Sequence, residues 1–133
     1  MAAFDLEAVL EHDARYPREA YDFLLEALAY TQRRLGRAPD AEQAGAADHV
    51  SARELLEGIR DHAVAEFGLM APTVFRQWGV ERTGDIGNLV FNLIAVEALA
   101  CRPEERREDF EDVFDLNEEL LRDFTITLEE VEP

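Results

Sequence analysis

The chain has no lysine, one cysteine and one serine in 133 residues, and each scarcity removes a class of chemistry. Without lysine there is no Schiff-base mechanism and no P-loop cation. Cys101 alone can form neither an internal disulfide nor a cysteine-based zinc cage. Long apolar runs are also missing: Leu89–Val96 is interrupted by Asn92 and is far too short to cross a bilayer. Met1-Ala2-Ala3-Phe4-Asp5 shows neither a basic segment nor an apolar one of the secretory type, so the expected compartment is the cytosol. Positive charge is scarce as well. Thirteen Arg face 30 Asp and Glu, a net charge of −17. Acids exceed Arg by seven over residues 1–103 and by ten over 104–133. Nucleic acid and anionic membranes are repelled by such a surface, and neither is expected as a direct partner.

What is present suits one folded domain. Hydrophobic residues make up 47% and charged residues 32%, close to globular averages. The acidic C-terminal third is interleaved with Phe110, Val113, Phe114, Leu116 and Leu120, anchors that an acidic disordered tail lacks. The acidity and the absence of Lys fit a GC-rich or halophilic host. Read as function, they fit a surface that mimics nucleic acid or docks on a basic protein.

Helical signals dominate. Asp5 can cap a first helix, with Phe4 packing on Val9. Pro17 opens a second helix that runs to Gly36, its apolar face carrying Ala20, Phe23, Leu24, Ala27, Leu28, Thr31 and Leu35. Tyr16, Tyr21 and Tyr30 lie on or near this pair, as groove lining or as boundary core. Residues 36–48 lack apolar periodicity and read as a linker. Ser51-x-x-Glu54 is a capping box ahead of Leu55, Leu56, Ile59, Ala63 and Phe67, with Gly68 as the stop. A short helix follows over Ala71–Trp78, stopped by Gly79. Thr83 is expected to cap a central, nearly all-apolar helix over Gly84–Leu99.

Ala100–Cys101 and Phe110–Leu116 read as two short strands around a polar turn, and Phe124–Leu128 alternates like a third. The expected fold is therefore mostly α: two N-terminal helices, then a winged-helix-like unit of three helices and a small C-terminal β-hairpin. Its divisions are a helical pair over 1–35, a linker over 36–50, the winged-helix-like unit over 51–116 and an acidic tail over 117–133. A DNA role does not follow. No basic residue lies between Arg82 and Arg102, and Asn88 and Asn92 sit amid apolar neighbours.

Catalytic constellations are sparse. Three histidines each neighbour an aspartate: His12-Asp13, Asp48-His49 and Asp61-His62. His62 and Glu66 have the i, i+4 spacing that projects two ligands from one helix face, so His49, His62 and Glu66 are the metal candidates. Against this, His62 borders the core stripe of its helix, as a hydrogen-bonded core histidine would. Ser51 is accounted for by capping, and Cys101 by burial at a helix end. Gly84-Asp85-Ile86-Gly87 lacks the spacing of a dinucleotide loop. No cofactor is expected.

Several motif blocks in order carry a resemblance: His49-Val50-Ser51-x-x-Glu54-Leu55-Leu56-Glu57-Gly58, Phe67-Gly68, Trp78-Gly79-Val80-x-x-Thr83-x-Asp85-Ile86-Gly87, Val90-Phe91-Asn92-Leu93 and Asp109-Phe110-x-x-Val113-Phe114-Asp115. Together they resemble the Minf-type family of short bacterial proteins, a domain of unknown function. The resemblance runs from the first helix to Leu116. It implies a small cytosolic bacterial protein and brings no activity, ligand or catalytic residue.

The functional expectation is a non-catalytic protein-interaction or regulatory module that meets a basic partner, with Phe114, Asp115 and Leu116 as anchors. The same three residues would equally serve as packing on the central helix. The alternatives are a small metal-dependent enzyme using His49, His62 and Glu66, and a nucleic-acid mimic.

Overall fold

The computed structural model describes residues 6–36, 50–96 and 106–122. Among the described residues six α-helices run in chain order: α1 (Leu6–His12), α2 (Arg18–Arg34), α3 (Ala52–Phe67), α4 (Ala71–Gln77), α5 (Thr83–Ala95) and α6 (Leu116–Leu121). Short 3-10 turns at Gly68–Met70 and Arg107–Phe110 join them. Ser51 caps α3 as its sequence predicts: its hydroxyl accepts from Glu54 N–H, and the Glu54 carboxylate accepts from Ser51 N–H. Such a cap contributes about 1 kcal/mol. Pro17 stands at the N-cap of α2, and Gly68 closes α3.

The β-hairpin is absent: the described residues contain no strand. Where Phe110–Leu116 was expected to extend, the chain makes the 3-10 turn Arg107–Phe110, a left-handed residue at Asp112 (φ 50°), and then α6. The physical reason is capping and burial. Asp115 is the N-cap of α6 and accepts from Glu118 N–H, while Phe110 turns inward from the 3-10 turn and Leu116 and Leu120 turn inward at i, i+4 on α6. Without a wing, the winged-helix reading falls. Ala100–Cys101 and Phe124–Leu128 lie outside the described residues, as do Phe4, Asp5 and the 37–49 stretch of the linker.

Thr83 also plays a different part from the one expected. Arg82 is the N-cap of α5, and it is the Asp85 carboxylate that accepts from Glu81 and Arg82 N–H. Thr83 is 1% exposed, and its hydroxyl accepts instead from Val113 N–H, tying the segment before α6 onto α5.

One hydrophobic cluster joins all six helices, from Val9 through Leu24, Leu56, Phe75 and Leu93 to Leu120. Phe23 of α2 stands at the centre of an aromatic group, its ring centroid 5.5–5.6 Å from those of Phe67, Phe75 and Trp78. Two glycines permit the closest approaches. A Cβ on Gly58 of α3 would lie 1.8 Å from Thr31 Oγ1 of α2, and one on Gly87 of α5 would lie 2.7 Å from Phe110 Cβ. α2 and α3 therefore cross antiparallel, nearly backbone to side chain, with Thr31 fully buried and its hydroxyl donating to Ala27 C=O.

Gly58→Ala is expected to destabilise the fold by about 1–3 kcal/mol, the usual cost of overpacking a tight contact. The same substitution should cost less in a Thr31→Ala background, and urea unfolding of the four proteins checks this.

Candidate functional site

Among the described residues, four places gather polar or exposed apolar side chains. The first lies between the α1–α2 connection and α5. Tyr16 O–H donates to Asp85 Oδ1 at 2.9 Å, and Asn88 Nδ2 donates to the Tyr16 oxygen at 2.9 Å. Asn92 Nδ2 donates to Asp13 Oδ2 and to the Tyr21 oxygen. Arg107 donates to Gly84 C=O and Asn88 Oδ1, and pairs with Glu111. Burial pushes the Tyr16 phenol up to about 12, and Tyr21 shifts the same way for the same reason. The hydrogen-bonded Arg15 guanidinium holds the Asp13 carboxyl well below the ordinary carboxylate range. Tyr16 and Tyr21 are 3% and 0% exposed, so these two phenols are core rather than groove lining. Their role is to fix the entry to α2 against α5.

The second place is a pocket of about 300 Å³ lined by Arg34, Arg53, Arg60, Arg122, Glu57, Asp61, Glu119 and Phe114. Asp61 is its hinge, paired with Arg34 and, at 2.7 Å, with Arg60. Burial raises the Asp61 carboxyl, but the hydrogen bonds from both guanidiniums outweigh it and hold the group below its ordinary value. Arg60 Nε also donates to Glu119 C=O at 2.8 Å, which staples α6 to α3. Phe114, an expected anchor, is half-buried at the edge of this pocket.

A third place, on the far side of α6, is a groove of about 220 Å³ lined by Pro72, Phe75, Val80, Leu116 and Leu120, with Arg76, Glu81 and Asn117 at its rim. Leu116, the second apolar anchor expected, is a wall of this groove and only 3% exposed. Asp115 is committed to capping α6. Leu69 and Met70, which lead directly into the α4 wall of the groove, are 63% and 57% exposed. Sequence reasoning passed over them because the pair reads as a plain apolar step between two helices.

The fourth place is around His62, on α3. Its Nε2 lies 3.7 Å from Glu66 Oε1, the i, i+4 neighbour, and 3.7 Å from Glu26 Oε1 of α2. Glu26 was not foreseen. It stands on the helix face between Phe23 and Tyr30, and only the α2–α3 register set at Gly58 brings that face to His62. His49 lies outside the described residues, and His12 is exposed at the end of α1.

No helix of the described residues is long and apolar enough to cross a membrane. Comparison with protein-family models, with curated proteins and with solved structures finds no match.

Two pH effects follow. Unfolded Asp takes up its proton near pH 4, whereas folded Asp13 and Asp61 stay ionised to lower pH. Stability is thus expected to be intact above about pH 5 and to fall as the pH drops below about 4, less steeply in Asp61→Asn. An unfolded phenol ionises near pH 10, while folded Tyr16 holds its proton to about 12. Stability should fall across that interval, and Tyr16→Phe should reduce the alkaline loss while costing about 1 kcal/mol at neutral pH. Urea midpoints across pH check both.

Proposed function

We propose that this protein is a non-catalytic interaction module that receives a basic, amphipathic segment of a partner protein on the groove between α4 and α6. One observation carries the reading. Leu69 and Met70 stand more than half exposed immediately before α4, whose Pro72 and Phe75 line an apolar groove, on a chain whose net charge is −17. Large exposed apolar side chains next to an apolar cleft are characteristic of binding surfaces, and methionine adapts its shape to what it meets. Apolar residues of the partner pack on Leu69 and Met70 and extend into the groove that Pro72 opens. Its basic residues meet Glu81 at the rim and the wider negative charge of the chain, which speeds the encounter and selects against acidic competitors. The anchors lie in the third of the chain that the sequence marks as acidic and apolar at once, together with α4. Phe114 and Asp115 contribute through the position of α6, by packing and by capping.

A basic helical peptide with apolar residues at i, i+3, i+4 and i+7 is expected to bind, with affinity falling as salt rises. An equally basic peptide lacking the apolar residues should bind at least tenfold more weakly. Leu69→Ser/Met70→Ser should lower the affinity by a similar factor while changing stability by no more than about 0.5 kcal/mol per site. Titration by fluorescence anisotropy measures all three. Equal binding of the two peptides, or binding indifferent to the double substitution, would sink the proposal.

A further inference from the structure

We propose that Glu26, His62 and Glu66 form a divalent-cation site that bridges α2 and α3, with Zn²⁺ as the matched ion. This goes beyond the interaction reading and does not rest on the groove. Three donor atoms, one from each residue, lie within 4.8 Å of one another. Ligands about 2.0–2.2 Å from a tetrahedral zinc stand roughly 3.3–3.5 Å apart, and both Nε2–carboxylate distances here are 3.7 Å. Closing the remaining few tenths of an ångström falls to the two carboxylates. Glu26 and Glu66 side chains are 65% and 49% exposed, so both are free to adjust.

An independent observation points the same way. His62 Nε2 is buried and has no hydrogen-bond partner, although the residue is otherwise well packed. A buried polar atom left without a partner is rare and calls for an explanation.

The ring is also held for the task. His62 is flanked by Phe23 at 5.1 Å and Tyr30 at 5.3 Å between centroids, which keeps Nε2 turned toward the two carboxylates. One neutral imidazole and two carboxylates balance the charge of a divalent ion. The imidazole favours Zn²⁺ over the oxygen-seeking Ca²⁺ and Mg²⁺. With three ligands from the chain and the carboxylates facing solvent, the fourth position is left to water. Bound there, the ion cross-links the same two helices that Gly58 and Thr31 bring into contact.

The test is a titration of untagged, metal-free full-length protein with Zn²⁺ and with Co²⁺, in excess Mg²⁺ to occupy ordinary surface carboxylates. One ion per chain is expected, together with visible cobalt absorption of a nitrogen- and oxygen-ligated centre and a rise in unfolding temperature on adding zinc. Substituting a residue that merely supports a metal ligand already costs 10- to 100-fold in affinity. Glu26→Gln, Glu66→Gln and His62→Gln should each therefore weaken binding by at least about tenfold and remove the thermal shift, while His12→Gln and His49→Gln should leave both unchanged. Should His62→Gln fail to fold, the exposed Glu26 and Glu66 decide the matter. Absence of stoichiometric binding, or binding that Glu26→Gln leaves intact, overturns the site. So does loss on His49→Gln without loss on Glu26→Gln.

Discussion

The contact between Gly58 and Thr31 is the constraint on which most of this molecule depends. A helix that presents no side chain at one position can be approached to within a methyl group's radius, and Thr31 occupies that space completely. The crossing sets the register of α2 against α3. From it follow the aromatic group around Phe23, the position of Arg34 beside Asp61, and the convergence of Glu26 on His62. A single added carbon would disturb all of these together, because they share one interface.

The second organising feature is the use of arginine in a chain that has no lysine. Arg60 is nearly buried and bridges α3 to the backbone of α6 and to Asp61. Arg107 reaches back from its 3-10 turn to the start of α5. Arg15 clamps Asp13, which in turn accepts from Asn92 in α5. Guanidinium groups hold several hydrogen bonds in one plane and stay charged at any physiological pH, which lets them join elements where an ammonium would serve one partner at a time. In a surface of strong negative charge, these pairs also draw carboxylates into the structure that would otherwise repel each other.

Polar groups inside the fold divide into two kinds. Those of the α1–α2 connection and α5 satisfy one another: phenol to carboxylate, amide to phenol, amide to carboxylate. They stiffen a joint. The imidazole of His62 differs, since its buried nitrogen is not consumed by the structure around it. The apolar side chains divide in the same way, into a core that is closed and the exposed pair Leu69 and Met70 that is not. Both of the functional readings rest on what the fold leaves unsatisfied.

Local signals determined much of the helical architecture. The Ser51 box, Pro17, Gly68, Pro72 and Gly79 mark helix ends through hydrogen bonds or dihedral preferences confined to a few neighbouring residues, so they are legible in sequence order. The apolar faces of α2, α3 and α5 are legible for the same reason, since side chains three and four apart share a helix face whatever lies opposite. What lies opposite was decided by tertiary structure alone. Phe110–Leu116 follows a polar turn as a second hairpin strand would, yet a strand needs a partner to take its backbone hydrogen bonds, and here Asp115 capping and the burial of Phe110 against Gly87 offered a better exchange. Likewise Asp85, rather than Thr83, serves the start of α5, because Thr83 is taken by Val113. Glu26 and His62 are 36 positions apart, and no periodicity relates them. Their meeting depends on the depth to which one helix seats on another, a steric quantity that belongs to the pair and not to either sequence segment.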